Sequence, residues 1–149
     1  MPRIKIELPQ HFTFRCNIPV RITDINYGGH VGNDAVLSLI HETRMQYFHS
    51  FGYSEMNLAG AGMIMADVAI EFKAELFYGD AVIASVAVND ISKVSFDLVY
   101  KLEKQTATGP KLVALAKTGM ICYDYSKKKI IAIPDEAMSK FQKANSKFQ

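Results

Sequence analysis

At least four strand-like segments follow residue 62, and the short turns between them constrain the fold more than any other feature. They begin near Met63, Ala81, Val94 and Leu112. Two parallel strands in one sheet need a long crossover connection, which these turns are too short to provide. The sequence therefore predicts a largely antiparallel sheet.

A single long helix pattern, from Ala35 to Phe51, precedes these strands. Its apolar residues spread over more than one narrow stripe, so we expect much of the helix to be covered. Asn33 or Asp34 is expected to cap its start, and Gly52 to end it by adopting positive φ. One long apolar helix against an antiparallel sheet is an α+β fold.

The remaining segments complete this arrangement. Residues 12–20 alternate between apolar and polar side chains, and Pro19 indicates an edge strand or a bulge near the end of that segment. We expect the segment from Leu112 to Tyr125 to be bent or bulged at Gly119. Pro134 opens a final short helix. Because no repeat or linker interrupts the chain, we expect one domain over residues 1–149.

Composition narrows the possible partners. The net charge of +2 is too small to indicate a nucleic-acid partner. No apolar run reaches the ~20 residues needed to cross a bilayer, and none near the N-terminus resembles a signal peptide. Cys16 and Cys122 lie far apart within strand patterns, which favours two buried free thiols. We expect a soluble cytoplasmic protein without membrane or nucleic-acid partners.

The candidate site is the stretch between the first strand and the long helix. Residues 23–34 hold three glycines, two carboxylates, two amides and a histidine. Backbone N–H groups on a glycine turn at a helix start can polarise a carbonyl oxygen, and those of Gly29, His30 and Val31 are the candidates.

Two carboxylates are candidates for acid–base or nucleophilic chemistry beside that turn. Asp24 lies in the turn, and Glu42 lies about two turns into the helix. An equally good interpretation is structural. Asp24 then holds the turn, His30 braces the loop, and Glu42 pairs with Arg44 or Arg21.

Other common sites are excluded by missing residues. The chain has neither a Gly-x-Ser-x-Gly turn nor a phosphate-binding loop ending in Lys-Ser or Lys-Thr. The segment from His41 to Met45 lacks the second histidine of a zinc helix. A possible calcium loop starting at Asp24 has Ala35 where the bidentate acid belongs. We expect no metal and no cofactor.

The motifs, taken together, resemble those of the hotdog-fold acyl-CoA thioesterases related to 4-hydroxybenzoyl-CoA thioesterase. Arg21–Asp24 through Gly29–Asn33 is similar to that family's Asp-x-Asp-x-x-Gly-His-Val-Asn-Asn signature, and His41–Arg44 to the Glu-Glu-Ala-Arg that follows on the helix. Tyr78–Asp80 resembles the family's Gly-Asp turn, and Ile133-Pro134 its closing Ile-Pro. The similarity runs from about residue 14 to 138.

The resemblance implies a sheet wrapped around the central helix and a dimer in which two sheets join into one. Such dimers often pair again into tetramers. It also implies a site at the subunit interface, with CoA along the surface and the acyl group beside the helix. Catalysis in the family uses a carboxylate on the loop or helix, and N–H groups at the helix start polarise the carbonyl.

The sequence departs from the family signature at two positions. Asn26 stands where many members have the catalytic aspartate, and Gly32 replaces the first of the two asparagines, leaving Asn33. An amide cannot act as a general base, so Asn26 would position water or substrate while Asp24 or Glu42 supplies the carboxylate. The predicted function is hydrolysis of an acyl-CoA or acyl-carrier-protein thioester. The alternative is a non-catalytic acyl- or CoA-binding protein.

Overall fold

The structure is a computed structural model that describes residues 2–146, so both ends of the predicted 1–149 domain lie outside the described residues. Within residues 2–146 the chain forms six strands, two α-helices and a short 3-10 helix at Ile22–Asp24. The strands and α-helices are, in chain order, β1 (Phe14–Pro19), α1 (Asn33–Ser50), β2 (Gly62–Phe72), β3 (Ala81–Asn89), β4 (Ser95–Thr106), β5 (Gly109–Asp124), β6 (Lys129–Ile130) and α2 (Asp135–Ser146).

All paired strands run antiparallel in one sheet of order β1-β3-β4-β5-β2, and β6 pairs with the end of β5. This confirms the predicted antiparallel α+β arrangement. β1 is an edge strand that ends at Pro19, where the missing N–H costs no hydrogen bond in the sheet interior.

Helix α1 packs one stripe of side chains against the inner face of the sheet. Its buried residues recur every three or four positions, so they share one face: Val36, Leu39, Ile40, Thr43, Arg44, Tyr47 and Phe48. Phe48 meets Phe96 of β4 edge-to-face. The opposite face, which includes Ser38, His41 and Glu42, is exposed. The helix is therefore less covered than expected, because one sheet covers only one of its faces.

The start of α1 differs from the prediction. Its N-cap is Gly32, whose extended backbone has φ −71° and ψ 159°, and no side chain in the described part of the chain caps the helix. Asn33 and Asp34 already lie inside the helix, so neither occupies the capping position. At the other end Gly52 has φ +81° and donates its N–H to the carbonyl of His49, which confirms the predicted end.

The predicted bulge at Gly119 is wrong. The extra residues are Ala66 in β2 and Val113 in β5. Gly119 has a different role, because the carboxylate of Asp67 occupies the space that a Cβ would need and accepts the Gly119 N–H at 2.9 Å. Gly119 therefore leaves room for the Asp67 side chain of β2 and does not mark a bulge in β5.

β2 is the second edge strand, and its inner face is largely uncovered. Val68 and Phe72 point to the same side of the sheet as the core but are 40% and 51% exposed. Within residues 2–146 no strand pairs with the free edge of β2. An eleven-residue edge strand with exposed apolar side chains is a surface that proteins usually cover.

Two smaller expectations concern thiols and membrane spans. Both cysteines are free, with Cys122 buried and Cys16 half-buried. No helix in the described part of the chain combines the length and apolar character that a membrane span requires.

Helix α2 closes one end of the core through Phe141. This side chain is fully buried and its ring lies 5.0 Å from that of Phe96, 5.8 Å from Phe51 and 6.4 Å from Tyr47. The aromatic cluster therefore joins α2 to both α1 and β4.

Phe141→Ala should lower the free energy of unfolding by about 3–5 kcal/mol, because it removes buried area and leaves a cavity. Urea denaturation followed by circular dichroism measures this change. Gln142→Ala, at an exposed position of the same helix, is the matched control and should change stability by less than about 0.5 kcal/mol. Equal effects from the two variants would contradict this packing.

Candidate active site

The glycine turn between β1 and α1 is closed by its own backbone. Ile25 and Val31 form an antiparallel bridge, Asn26 N–H donates to the His30 carbonyl at 2.9 Å, and Gly29 N–H donates to the Asn26 carbonyl at 3.1 Å. Gly29 has φ +83°, a conformation that other residues rarely adopt. The turn therefore delivers the chain to the start of α1 in a fixed direction.

Two of the three predicted backbone donors already have acceptors. Gly29 donates its N–H to the Asn26 carbonyl, and Val31 donates its N–H to the Leu76 carbonyl at 2.8 Å. By contrast, the amides of Asn33, Asp34 and Ala35 have no acceptor among residues 2–146. These are the first-turn N–H groups that a helix cannot satisfy itself, and the positive end of the helix dipole lies there.

The Asn26 side chain lies against this helix start. Its Oδ1 accepts the N–H of Gly28 at 2.9 Å, which assigns Nδ2 to the other side of the amide. A methyl group built on Gly32 would lie 3.4 Å from that Nδ2 and 2.6 Å from Asp34 Oδ1. Gly32 thus leaves room for an amide donor and a carboxylate beside the unsatisfied N–H groups.

Asp24 has a structural environment. It is 6% exposed, its Oδ2 accepts the Arg21 N–H at 2.8 Å, and its Oδ1 lies 3.6 Å from the Arg21 guanidinium. Its backbone carbonyl also accepts the Gly32 N–H at 3.3 Å. Asp24 therefore braces the 3-10 turn and fixes the residue that precedes α1.

Glu42 is exposed and pairs with neither arginine suggested by the sequence. It accepts one hydrogen bond, from Gln46 at 3.3 Å. Arg44 instead donates from Nε to Glu55 at 2.8 Å and lies 3.4 Å from the Tyr100 hydroxyl. Burial disfavours the charged guanidinium, but Tyr100 and Glu55 outweigh it and raise the pKa of Arg44.

His30 and Asn33 line a cleft of about 280 Å³ between the start of α1 and the β2 side of the sheet. We call it the β2-side cleft. Val36, Phe72 and Leu76 give it apolar walls. The His30 ring lies 3.1 Å from the Val31 carbonyl through Nδ1 and 3.9 Å from Glu75 through Nε2, so it braces the mouth of this cleft.

Glu42 lines a different surface, a groove of about 260 Å³ between α1 and β1 that we call the β1-side groove. Arg21 and Ser38 also line it. Cys16 lies nearby on β1, but burial raises the pKa of its thiol, which disfavours a reactive thiolate at neutral pH. Within one chain the structure thus separates Glu42 from the β2-side cleft that His30, Val31 and Asn33 share.

The start of α1 is suited to binding a polar oxygen. Among residues 2–146 no group of three or more His, Cys, Asp or Glu is placed to hold a metal ion. Preorganised N–H groups stabilise negative charge that develops on a carbonyl oxygen. The three unsatisfied first-turn amides and Asn26 Nδ2 provide such donors.

Sequence reasoning missed two parts of this arrangement. The first is the set of free N–H donors at Asn33–Ala35, which are free because no described side chain caps the helix start. A glycine at position 32, directly before the first helical residue, was the sequence signal that could have predicted them. Glu55, which holds Arg44 and also lies 3.0 Å from His41 Nε2, is in the loop after α1. No local pattern in the sequence connects that loop to the helix.

The sequence profile of the thioesterase-like superfamily matches residues 20–141, so the chain belongs to this superfamily. The matched range contains the glycine turn, α1 and the whole sheet except β1. A search of curated proteins gives no match.

Solved structures confirm the predicted hotdog fold. A thioesterase-superfamily protein from Jannaschia sp. CCS1 aligns with a TM-score of 0.81 at 15% identity, over 93% of this chain and 86% of its own. A 1,4-dihydroxy-2-naphthoyl-CoA thioesterase from Synechocystis gives 0.74 at 22% identity, over 88% and 93%. 4-Hydroxybenzoyl-CoA thioesterase from Pseudomonas sp. strain CBS-3 gives 0.74 at 16%, over 85% and 96%.

Asp24→Ala should lower the free energy of unfolding by about 1–3 kcal/mol, because it leaves the Arg21 N–H without its acceptor. Asp24→Asn should retain most of the stability, since an amide oxygen can still accept that hydrogen bond. Urea denaturation of both variants measures the difference. An Asp24→Ala protein as stable as the unaltered chain would rule out the bracing role.

Proposed function

We propose that the protein hydrolyses an acyl-CoA or acyl-carrier-protein thioester to a free acid and a thiol. The observation that carries this proposal is the uncapped start of α1, where three backbone N–H groups beside the Asn26 amide have no acceptor among residues 2–146. Membership of the thioesterase-like superfamily supports it. No cofactor or metal takes part in the proposed reaction.

The proposed chemistry follows from those donors. The first-turn amides of α1 bind the thioester carbonyl oxygen, and the helix dipole favours the negative charge that forms as water attacks. A carboxylate removes a proton from that water. Of the two carboxylates predicted from the sequence, Asp24 is held by Arg21, which leaves Glu42 as the one to test.

The proposed substrate class is based on the structurally similar proteins and on the shape of the site. The Synechocystis and Pseudomonas proteins are named for aromatic acyl-CoA substrates. We propose that the acyl group enters the β2-side cleft, between His30, Asn33 and Phe72, and that CoA extends along the outside of the molecule. The cytoplasm, where CoA thioesters are made and used, is the proposed location.

The purified protein should release free thiol from at least one of acetyl-CoA, palmitoyl-CoA and benzoyl-CoA, as measured with a thiol-reactive chromophore. Glu42→Gln tests whether Glu42 is the acid–base carboxylate, as the sequence predicts. Glu103→Gln, on the outer face of the sheet, is its matched control. If Glu42 is the base, only the first variant should lose turnover, by about 10²–10⁴-fold.

Absence of turnover on every substrate would leave the second candidate, a protein that binds acyl-CoA without hydrolysing it. The observation in its favour is Asn26, an amide at the position where the family signature has an aspartate. Calorimetric titration with CoA distinguishes the cases. Heat of binding without thiol release supports a binding protein. Absence of both binding heat and thiol release contradicts both candidate functions.

We also propose a homodimer formed by the free edge of β2. The supporting observations are the unpaired edge and the exposed Val68 and Phe72 on its inner face. Two copies of β2 running antiparallel would join the sheets and cover these side chains. The β2-side cleft, which Phe72 lines, would then open at the interface, and a further pairing of dimers would give a tetramer.

Val68→Glu should convert this dimer to a monomer, because it places a charge in the apolar contact at the edge strand. Light scattering coupled to size-exclusion chromatography measures the mass. Ile130→Glu, at an apolar side chain that is 53% exposed on β6, is the control and should leave the mass unchanged. A single-chain mass for the unaltered protein would contradict the dimer.

A further inference from the structure

The glycine turn and α1 together contain three carboxylates, and their environments differ. Asp24 is buried and holds the Arg21 backbone and guanidinium. Glu42 is exposed, accepts from Gln46 and lines the β1-side groove. The third, Asp34, lies in the first turn of α1 and makes no ion pair or side-chain hydrogen bond with any described residue.

Asp34 itself carries one of the unsatisfied amides. Its Oδ1 and Asn26 Nδ2 both lie within 3.4 Å of the point where a Cβ of Gly32 would be. Glu42 is eight residues further along α1, which places it about 12 Å along the helix axis from Asp34. A base must reach the attacking water within hydrogen-bond distance, and a carboxylate two turns away does not meet that requirement.

We propose that Asp34 is the catalytic carboxylate of this site and that Asn26 holds the attacking water beside it. The inference rests on the proposed thioester hydrolysis. Asn26 Oδ1 is occupied by the Gly28 N–H, so Nδ2 is the free donor, and it faces the same space as the Asp34 carboxylate. An aspartate and an amide thus lie side by side over Gly32, with the carboxylate on the helix instead of on the turn.

The reaction balances with these groups alone. The water oxygen attacks the thioester carbonyl carbon while Asp34 takes one water proton. The carbonyl oxygen becomes an oxyanion held by the first-turn amides. When the carbonyl reforms, the carbon–sulfur bond breaks, and the departing thiolate takes the proton from Asp34. The products are the free acid and the thiol, and Asp34 is again ionised.

Asp34 lies close to the N–H groups that would bind the oxyanion. This proximity is consistent with the way that negative charge moves during the reaction. A permanent carboxylate anion there would repel the developing oxyanion. Because Asp34 becomes neutral as it accepts the proton, the negative charge near the start of α1 moves from the carboxylate to the oxyanion and does not accumulate. The helix dipole therefore stabilises one negative charge throughout the step.

The decisive experiment exchanges the carboxylate and the amide. Asp34→Asn should lower kcat by about 10²–10⁴-fold with little change in KM, because a base is lost while the binding surface is retained. The double variant Asn26→Asp with Asp34→Asn keeps the same net charge and returns a carboxylate to the same place beside Gly32. It should recover at least tenfold of the lost kcat, because one carboxylate again lies beside one amide.

Gly32→Ala provides an independent test without removing any functional group. The φ of −71° at Gly32 suits alanine, so the chain should fold as judged by circular dichroism and thermal melting. The added methyl group would lie 2.6 Å from Asp34 Oδ1 and must displace that carboxylate. We expect kcat to fall at least tenfold in this variant.

The outcomes separate this inference from the proposed function. No thiol release by the unaltered protein would refute the hydrolase proposal itself. If the unaltered protein is active and folded Asp34→Asn keeps full kcat, the assignment of Asp34 is wrong, and loss of activity in Glu42→Gln would then assign the base to Glu42. Failure of the double variant to exceed the Asp34→Asn variant would likewise overturn the assignment.

Discussion

The uncapped start of α1 is the constraint on which the candidate site depends. A helix of this length would normally have a side chain that satisfies one or more of its first N–H groups, because each unsatisfied donor weakens the helix. Here Gly32 is the N-cap and offers none. At the other end of α1, Phe48 is buried against Phe96, which in turn contacts Phe141, and this packing supplies the stability that permits an open, polar helix start.

The position of that helix start is fixed from both sides. On the turn side, Asp24 binds Arg21 through its carboxylate and Gly32 through its carbonyl. On the sheet side, Arg44 is held between Glu55 and the Tyr100 hydroxyl, which is 2.9 Å from Thr118 of β5. These polar contacts have defined geometry, so they favour one position of α1 on the sheet and one position of the amides at its start.

Much of the architecture followed from the sequence, but the details of the site did not. Short turns after residue 62 required antiparallel strands, and Gly52 ended the helix as predicted. The bulge was misplaced because Gly119 admits the side chain of Asp67 from another strand, a contact 52 residues away in sequence. For the same reason Glu55, in the loop after α1, was not recognised as the partner of Arg44.

The sequence by itself determined the fold class, the helix that packs against the sheet and the segment proposed to hold the site. Periodicity, turn residues and motif order are local properties, and they suffice for these conclusions. Only the tertiary structure decided which amides of that segment are free, because the acceptor for Val31 is the carbonyl of Leu76, far along the chain. It also placed Asn26 and Asp34 together over Gly32, since that proximity depends on how the turn closes onto the helix.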